Sequence, residues 1–563
     1  MGKGRLAFAA LALALAMPAG AADLLFKASF DESAEGPYNE YDAARFLTQA
    51  TFGPTLGEIQ RLQQIGYNAW LNEQVAMAPT LHTPYLDFRD GLGEDVYQQV
   101  RQEAWFMRAV TAPDQLRQRV AFALSEVLVV SDQNSAVDDA FALANYYDLL
   151  LQRGLGNYRQ LLREVTLHAV MGNYLSMRGN QKENVTENIR PDENYAREIM
   201  QLFSIGLVML DANGQPVLSG GQPVPTYTQA TIRGFARVFT GWNWSGCTAN
   251  EYEWCYPDDT HQVWWRQPMV PFAAFHETGS KQLLNYTGVS LAGGLLPANT
   301  GANAATADLD AALDNIFNHP NVGPFVAKRL IERLVSSNPS PAYVGRVAAK
   351  FANNGSGVRG DLAAVVRQVL MDPEARKRAS APANAGKLRE PLLRITQLWR
   401  GMDARSGDNR YREGWPDYYG GQAALRAPTV FNFFLPSYSL PGEIAAAGLV
   451  SPEFQIATDT FITRMSNEIA GKVYWFWRGN PELSAEDVTV DLARDMSLAN
   501  TPSKLLDRYD LLFMAGAMSA PMRQILLDDL NQIDLSGGDD ARRERIQDAL
   551  WLMLNSPEYV VEK

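Results

Sequence analysis

Apolar residues recur every three to four positions through most of this chain, which is the spacing of helices that bury one face. The clearest helix start is Thr55, which forms a capping-box sequence with Glu58 ahead of Ile59, Leu62 and Ile65. The same spacing predicts helices over 113–128, 137–153, 158–170, 191–205, 309–317, 326–334, 344–351 and 362–370. The chain is therefore predicted to be mainly α, and because no fixed repeat recurs, a regular solenoid is not expected.

Strand signals are sparse and irregular stretches are long. A turn sequence at 211–215 between two short apolar runs predicts a small β-hairpin. The stretches 242–286 and about 401–448 lack clear periodicity and predict long ordered loops. We predict one large multi-helical domain over 41–563, with this hairpin and these loops, in which 208–300 forms a loop-rich, insertion-like cap.

The N-terminus has the pattern of a secretory signal. Lys3 and Arg5 precede an apolar run over 6–17 and a group of small residues, which predicts a cleavable signal peptide over 1–22. Residues 23–40 would then form a linker or N-terminal extension. The apolar run is too short for a bilayer, which leaves an uncleaved interfacial anchor as the alternative. Later segments offer no run of about 18 apolar residues, so we expect no transmembrane segment after cleavage and a periplasmic or secreted protein.

Charge and cysteine content narrow the function classes. The formal net charge of −13 disfavours nucleic-acid binding, which needs clustered Lys and Arg. The only two cysteines, Cys247 and Cys255, stand close together, and in an oxidising compartment they predict a disulfide. A pair of metal-binding thiols is the alternative, but two ligands do not close a zinc site. We predict no metal and no cofactor.

Standard catalytic signatures are absent from the sequence, including those of covalent haem, zinc proteases, serine esterases and P-loop enzymes. The densest polar cluster lies on the helix opened by Pro191 and includes Glu193, Asn194, Arg197 and Glu198. These residues indicate either a solvated helix face or, with Arg197 and Glu198 turned inward, the lining of a cleft.

A second candidate is the loop 276–281. His276 offers a general base and Lys281 a cation within six positions, so Glu198 and His276 are the catalytic candidates, while Glu193, Asn194, Arg197, Trp242 and Lys281 are candidates for ligand binding. The tryptophans and tyrosines around Trp242 suit stacking on sugars or peptides, or burial that holds an irregular loop together, and burial is favoured.

Several segments together resemble the bacterial family known only as domain of unknown function 1800. They are AARFL at 43–47, ATFGPT at 50–55, ENYAREIMQLFSIG at 193–206, YTQ at 227–229, TGW at 240–242, PTVFN at 428–432, and His276 with Gly279 and Lys281. The resemblance implies one long family domain in an exported protein but supplies no activity. Members of the family often accompany exported proteins of the phosphatase or sulfatase type, which implies such a partner.

The resemblance joins the 193–198 motif to His276 and Lys281. We therefore expect Arg197 and Glu198 to be buried against the 240–281 segment, with His276 a few ångströms away. For function, the leading interpretation is an exported binding or assembly protein for an extracytoplasmic polysaccharide, peptide or partner. The alternative is a hydrolase or transferase with an Arg/Glu/His cleft acting on an envelope or extracellular substrate, and it requires Glu198 and His276 to share a cleft.

Overall fold

The structure is a computed structural model that describes residues 36–134, 137–252, 255, 264–376 and 381–562. The predicted signal peptide and most of the predicted linker lie outside these residues. Within them the chain is mainly α, as predicted, and its strands form only short pairs.

Among the described residues, ten α-helices lie before residue 300, and the last of them falls within the 208–300 stretch. They are α1 (Glu40–Ala50), α2 (Leu56–Ala76), α3 (Thr83–Gly91), α4 (Gln98–Thr111), α5 (Gln115–Ser125), α6 (Ala140–Arg153), α7 (Tyr158–Leu167), α8 (Ala169–Tyr174), α9 (Asn194–Gln201) and α10 (Gln229–Val238). The others within the described residues are α11 (Ala304–Phe317), α12 (Val322–Leu334), α13 (Pro341–Ala352), α14 (Leu362–Met371), α15 (Pro373–Arg376), α16 (Pro391–Gly401), α17 (Pro416–Gly420), α18 (Glu443–Ala446), α19 (Asp459–Ala470), α20 (Pro502–Tyr509), α21 (Ala520–Leu530), α22 (Asp539–Leu554) and α23 (Pro557–Val560).

Side-chain caps explain several helix boundaries. At α2, the Glu58 amide donates to the Thr55 hydroxyl and the Thr55 amide donates to the Glu58 carboxylate, which confirms the predicted capping box. The predicted helix over 158–170 is split at His168, whose ring accepts a hydrogen bond from the Val170 amide and caps α8. The helix predicted from Pro191 begins only at Asn194, because Asn180 holds the backbone of Asp192 in hydrogen bonds outside the helix.

The strands pair antiparallel, two by two. They are β1 (Leu218–Ser219) with β2 (Gln222–Pro223), β3 (Trp242–Asn243) with β4 (Val270–Pro271), β5 (Lys281–Gln282) with β6 (Leu295–Leu296), and β7 (Lys387–Leu388) with β8 (Val561–Glu562). The predicted hairpin is present, since Leu210 bridges to Pro216 across the turn. The last pair ties the end of the chain to the start of α16.

Most buried apolar residues from Ala43 to Tyr559 form one contiguous core, and Val129, Ala427, Phe433 and Phe434 form a small separate cluster. At its centre the rings of Phe52 and Phe122 lie 5.3 and 5.5 Å from that of Trp105. The 208–300 stretch also contributes buried residues such as Phe235 and Leu283 to this core. Its description as an insertion-like cap on a 41–563 domain stays a prediction. Among the helices of the described ranges, none combines the length and apolar character needed to cross a membrane.

A buried charge network, which we call the Glu390 network, crosses the core. It comprises Glu126, Arg333, Lys387, Glu390, Gln422 and Glu453. Lys387 Nζ lies 3.0 Å from Glu390 Oε1 and 3.4 Å from Glu453 Oε1. The Gln422 amide donates to both Glu126 and Glu390 at 3.1 and 2.7 Å, which brings these two carboxyl groups close together. The network therefore joins α5, α12 and the β7–α16 segment through charges that water does not reach.

The pKa values of two neighbouring carboxyl groups in this network are shifted in opposite directions. Burial, reinforced by the charge of Glu390, raises the pKa of Glu126 to about 8. For Glu390 burial acts in the same upward direction, but Lys387, Arg119 and Arg333 outweigh it and lower its pKa. At neutral pH the pair accordingly holds one proton, on Glu126, and one negative charge, on Glu390.

Candidate functional site

The polar motif of α9 forms a surface patch centred on Glu193, which we call the Glu193 patch. Arg197 Nη2 lies 3.3 Å from Glu193 Oε2, and Arg233 Nε lies 3.7 Å from Glu193 Oε1. The Gln229 amide donates to both oxygens of Glu193 at 2.9 and 2.8 Å. Asn194 is exposed beside them. The patch therefore brings together two motifs that carry the family resemblance, 193–206 and 227–229.

The expected burial of Arg197 is wrong. Its side chain is 41% exposed and pairs with Glu193 one turn earlier in the chain. Helix geometry explains the error, because α9 buries the face that carries Tyr195 and Ile199, and position 197 lies on the other side. The burial of Glu198 is confirmed, and desolvation raises the pKa of its carboxyl although Arg197 opposes the shift. Within the described chain, Glu198 Oε2 has no hydrogen-bond partner.

We expect Arg197→Ala to lower the free energy of unfolding by less than about 0.5 kcal/mol, because the ion pair it removes is exposed to solvent. Urea denaturation of the purified variant measures this change. A loss of several kcal/mol would show that Arg197 carries a buried role that its exposed position does not suggest.

His276 and Lys281 meet at a different place, on the carboxylate of Asp308. Lys281 Nζ donates to Asp308 Oδ2 at 2.6 Å, and His276 Nε2 lies 3.3 Å from the same oxygen. Asn299 donates to Asp308 Oδ1 at 3.1 Å, and His276 Nδ1 lies 2.9 Å from the Thr240 carbonyl oxygen. We call His276, Lys281, Asn299 and Asp308 the Asp308 cluster. It fastens the 276–299 loop to α11.

Three members of the Asp308 cluster are shielded from solvent, and Asn299 is half-buried at its edge. Lys281 and Asp308 are buried and His276 is only 1% exposed. Burial by itself would raise the pKa of Asp308, but hydrogen bonds from His276, Lys281 and Asn299 hold it below its usual value. A general base must reach its substrate. The structure therefore provides a stabilising role for His276 and Lys281 and no path from His276 to a substrate in this conformation.

α10 packs against both α9, which carries the first motif, and β5, which contains Lys281. The polar groups of His276 and Lys281 are engaged by Thr240, Gly279 and Asp308. Across the described residues, no hydrogen bond joins either of them to Glu198. Two of the motifs that carry the resemblance thus lie in the Glu193 patch and the Asp308 cluster. The shared site expected from the sequence is not formed by direct contacts between them.

The aromatic loop is a packing element. Trp242, Trp244 and Trp265 are buried, and the rings of Trp244 and Trp264 lie 4.2 Å apart. The predicted disulfide between Cys247 and Cys255 is present, with Cα atoms 5.8 Å apart. Trp254 and Tyr256 lie outside the described residues. Burial of Trp242 supports the structural interpretation of this ring over ligand stacking.

A large cleft of about 1590 Å³, which the sequence analysis did not predict, opens between the N-terminal helices and α13–α14. We call it the basic cleft. Its charged and aromatic lining consists of Tyr38, Tyr41, Tyr67, Arg45, Arg346, Lys350, Arg367, Arg376, Asp42, Asp361 and Asp510. Five cations thus face three carboxylates. The lining comes from residues 36–75, 346–376 and 510–516, so no local pattern in the sequence marks it.

Two arginines of the basic cleft use amide partners. Arg367 donates to the side-chain oxygens of Asn68 and Asn72. Arg376 donates to Gln49 and stacks on Phe46, with 5.0 Å between the guanidinium carbon and the ring centre. Burial lowers the pKa of both guanidinium groups. A bound anion would supply the counter-charge that amides do not, which makes this cleft suited to negatively charged ligands.

Fold and clefts together define a large multi-helical protein with one continuous core, a disulfide-closed aromatic loop and a basic surface cleft. Residues 45–561 match the family described as protein of unknown function (DUF1800), and the chain belongs to that family. Comparison with curated proteins and with solved structures finds no significant match. The family membership confirms the resemblance seen in the sequence and assigns no activity.

Proposed function

We propose that this chain is an exported binding protein that holds a segment of an anionic polymer in the basic cleft. The observation that carries the proposal is the cleft itself, with five cations and three tyrosines around about 1590 Å³. Small-molecule sites have volumes of about 300–1000 Å³, so a cleft of this size suits a stretch of polymer. The disulfide agrees with an oxidising compartment and thus with export.

The distribution of cations within the cleft favours an acidic ligand. Arg346 is held by Asp372 and Glu374 at 2.7 and 3.2 Å and contributes little net charge. Lys350 and Arg367, half-buried near it, remain to attract an anion. Tyrosine rings in the same lining offer flat apolar faces for sugar or peptide units. An acidic polysaccharide or acidic peptide therefore matches the site better than a neutral polymer does.

The hydrolase or transferase alternative gains no support from the geometry. Glu198 is buried on α9, and His276 is buried in the Asp308 cluster, where its Nε2 lies 3.3 Å from Asp308 Oδ2. An acid–base pair would need both groups within reach of one substrate. An exported partner of the phosphatase or sulfatase type remains a prediction of the family resemblance.

The proposal is tested by titrating oligogalacturonate and poly-L-glutamate into the protein by calorimetry. Replacing both Lys350 and Arg367 with glutamine should weaken binding of the preferred polyanion at least about tenfold, because two cations leave the cleft. The matched control replaces Arg542 and Arg543, which pair with Asp539 and Asp540 on α22 away from the cleft. This control variant removes the same amount of charge from outside the cleft, so it should bind the polyanion like the wild type. Equal weakening in both double variants, or no binding of either polyanion, contradicts the proposal.

A further inference from the structure

A second pocket, of about 520 Å³, lies beside α17 and shares no lining residue with the basic cleft. Two aromatic side chains stand at it, Trp415 and Tyr418, which are 37% and 66% exposed. Most large rings of this chain are buried in the core, so a tryptophan and a tyrosine exposed three positions apart in one pocket need an explanation.

Both rings are held in place by arginines. The guanidinium carbon of Arg426 lies 4.4 Å from the Trp415 ring centre, and that of Arg464 lies 4.2 Å from the Tyr418 ring centre. Arg426 is in turn fixed by Asp417 and by buried Asp132, each at 3.0 Å. Arg464 donates to the Tyr418 carbonyl oxygen at 2.9 Å. The rings are therefore preorganised, and a ligand that stacks on them has little ordering cost to meet.

The polar lining offers hydrogen-bond acceptors beside the donor Arg426. Asp417 is one-third exposed, and its Oδ2 accepts a hydrogen bond from Arg426 Nε at 3.0 Å. Glu468 is one-third exposed, with one oxygen 3.0 Å from Lys472 Nζ. Carboxylate oxygens accept hydrogen bonds from hydroxyl groups. The pocket thus combines flat apolar ring faces with hydrogen-bond acceptors. A sugar ring is complementary to this combination, because it has an apolar face and hydroxyl groups that donate hydrogen bonds.

The charge of the pocket restricts the kind of sugar. Glu413, Asp417 and Glu468 line it with the cation Arg426, and Lys472 pairs with Glu413 and Glu468 from outside the lining, so carboxylates exceed cations by one. A uronic acid or a sulfated unit would bring another negative charge next to these carboxylates and be repelled. A neutral pyranose has no such cost.

We propose that the pocket formed by Trp415, Asp417, Tyr418 and Glu468 is a binding site for a neutral pyranose unit of a polysaccharide. It is separate from the anion site of the basic cleft and does not depend on it. The pyranose ring stacks on the open faces of Trp415 and Tyr418, and its hydroxyl groups donate to Asp417 and Glu468.

The test titrates cellohexaose, chitohexaose and maltohexaose into the protein and follows heat and tryptophan fluorescence. We expect at least one of them to bind, and Trp415→Ala to weaken its binding at least about tenfold through loss of a stacking face. Trp475→Ala is the matched control, because Trp475 is 48% exposed and lies outside the pocket lining. This control should bind within about twofold of the wild type, since it removes an exposed indole that does not line the pocket.

Thermal melting of each variant separates loss of the site from loss of the fold. Should Trp415→Ala melt early, Tyr418→Leu removes the other ring from a more exposed position and is expected to weaken binding in the same way. The proposal is overturned if the wild type binds none of the three oligosaccharides. It is also overturned if the Trp415 and Trp475 variants bind equally well, or if trigalacturonate displaces the neutral sugar from this pocket.

Discussion

Replacing Glu390 with alanine is expected to lower the free energy of unfolding at pH 7 by about 3–5 kcal/mol, which is the usual cost of leaving buried charges without their partner. Lys387, 3.0 Å away, would lose its nearest carboxylate, and the positive charges of Arg119 and Arg333 would lose the negative charge that offsets them. All of these groups are shielded from water by the core. Urea denaturation followed by circular dichroism measures the change.

Glu126→Gln is the matched comparison, because an amide resembles the protonated carboxyl that burial favours at this position. We expect it to cost less than about 1.5 kcal/mol at pH 6, within the range for a net hydrogen-bond change. A large loss of stability for Glu390→Ala together with a small loss for Glu126→Gln would assign the negative charge to Glu390 and the proton to Glu126. A Glu126 variant as unstable as the Glu390 variant would contradict this assignment.

The pH dependence of the comparison follows from the direction of the shift. The pKa of Glu126 rises from about 4.3 in the unfolded chain to about 8 in the folded protein, so the folded state retains the proton longer. The stability that this proton contributes is complete below the unfolded pKa and is lost as the pH rises through the folded pKa. The wild type should therefore lose stability relative to Glu126→Gln between about pH 4 and about pH 8. Parallel pH profiles would contradict the raised pKa.

A second large effect is expected for Asp308→Ala, again about 3–5 kcal/mol of unfolding free energy. This change removes the carboxylate that accepts from Lys281 at 2.6 Å and faces His276 at 3.3 Å, all within the core. Asp310→Ala on the same helix is the control, since Asp310 is partly exposed and pairs with Arg159 and Arg163 at the surface. It should cost less than about 1 kcal/mol. Equal stability of the Asp308→Ala and Asp310→Ala variants would contradict a stabilising role for the Asp308 cluster.

This cluster also shows what sequence alone could and could not predict. The loop 276–281 was recognisable as unusual because it places His276 and Lys281 within six residues. Their partner was not recognisable, because Asp308 lies on the next helix and its carboxylate has the appearance of an ordinary polar position in an amphipathic pattern. A buried ion pair depends on tertiary contacts, which periodicity does not report.

Features that depend only on residues close together in the sequence were predicted correctly. The capping box at Thr55 and Glu58 defines the start of α2 in both sequence and structure. The Cys247–Cys255 pair is close in sequence and forms the expected disulfide. The prediction that Arg197 is buried was wrong. It relied on the shared site that the resemblance suggested, although the helical position of Arg197 opposite Tyr195 already indicated exposure.

The two clefts lay beyond sequence reasoning for a different reason. Arg367 and Lys350 lie on neighbouring helices, and Tyr38 and Asp510 come from opposite ends of the chain. Trp415 and Tyr418 fall in a stretch that the sequence marks only as irregular. Such sites arise from the packing of distant segments, so only the folded chain reveals them.

The most direct test of the central proposal is hydrogen–deuterium exchange of the full-length protein with and without oligogalacturonate. A polymer bound in the basic cleft should slow exchange in α1, α13, α14 and α15, which supply the cations of its lining. Exchange in α9 and α10, around the Glu193 patch, should stay unchanged. Protection confined to α9 and α10, or no protection at saturating polyanion, would contradict the assignment of the basic cleft as the binding site.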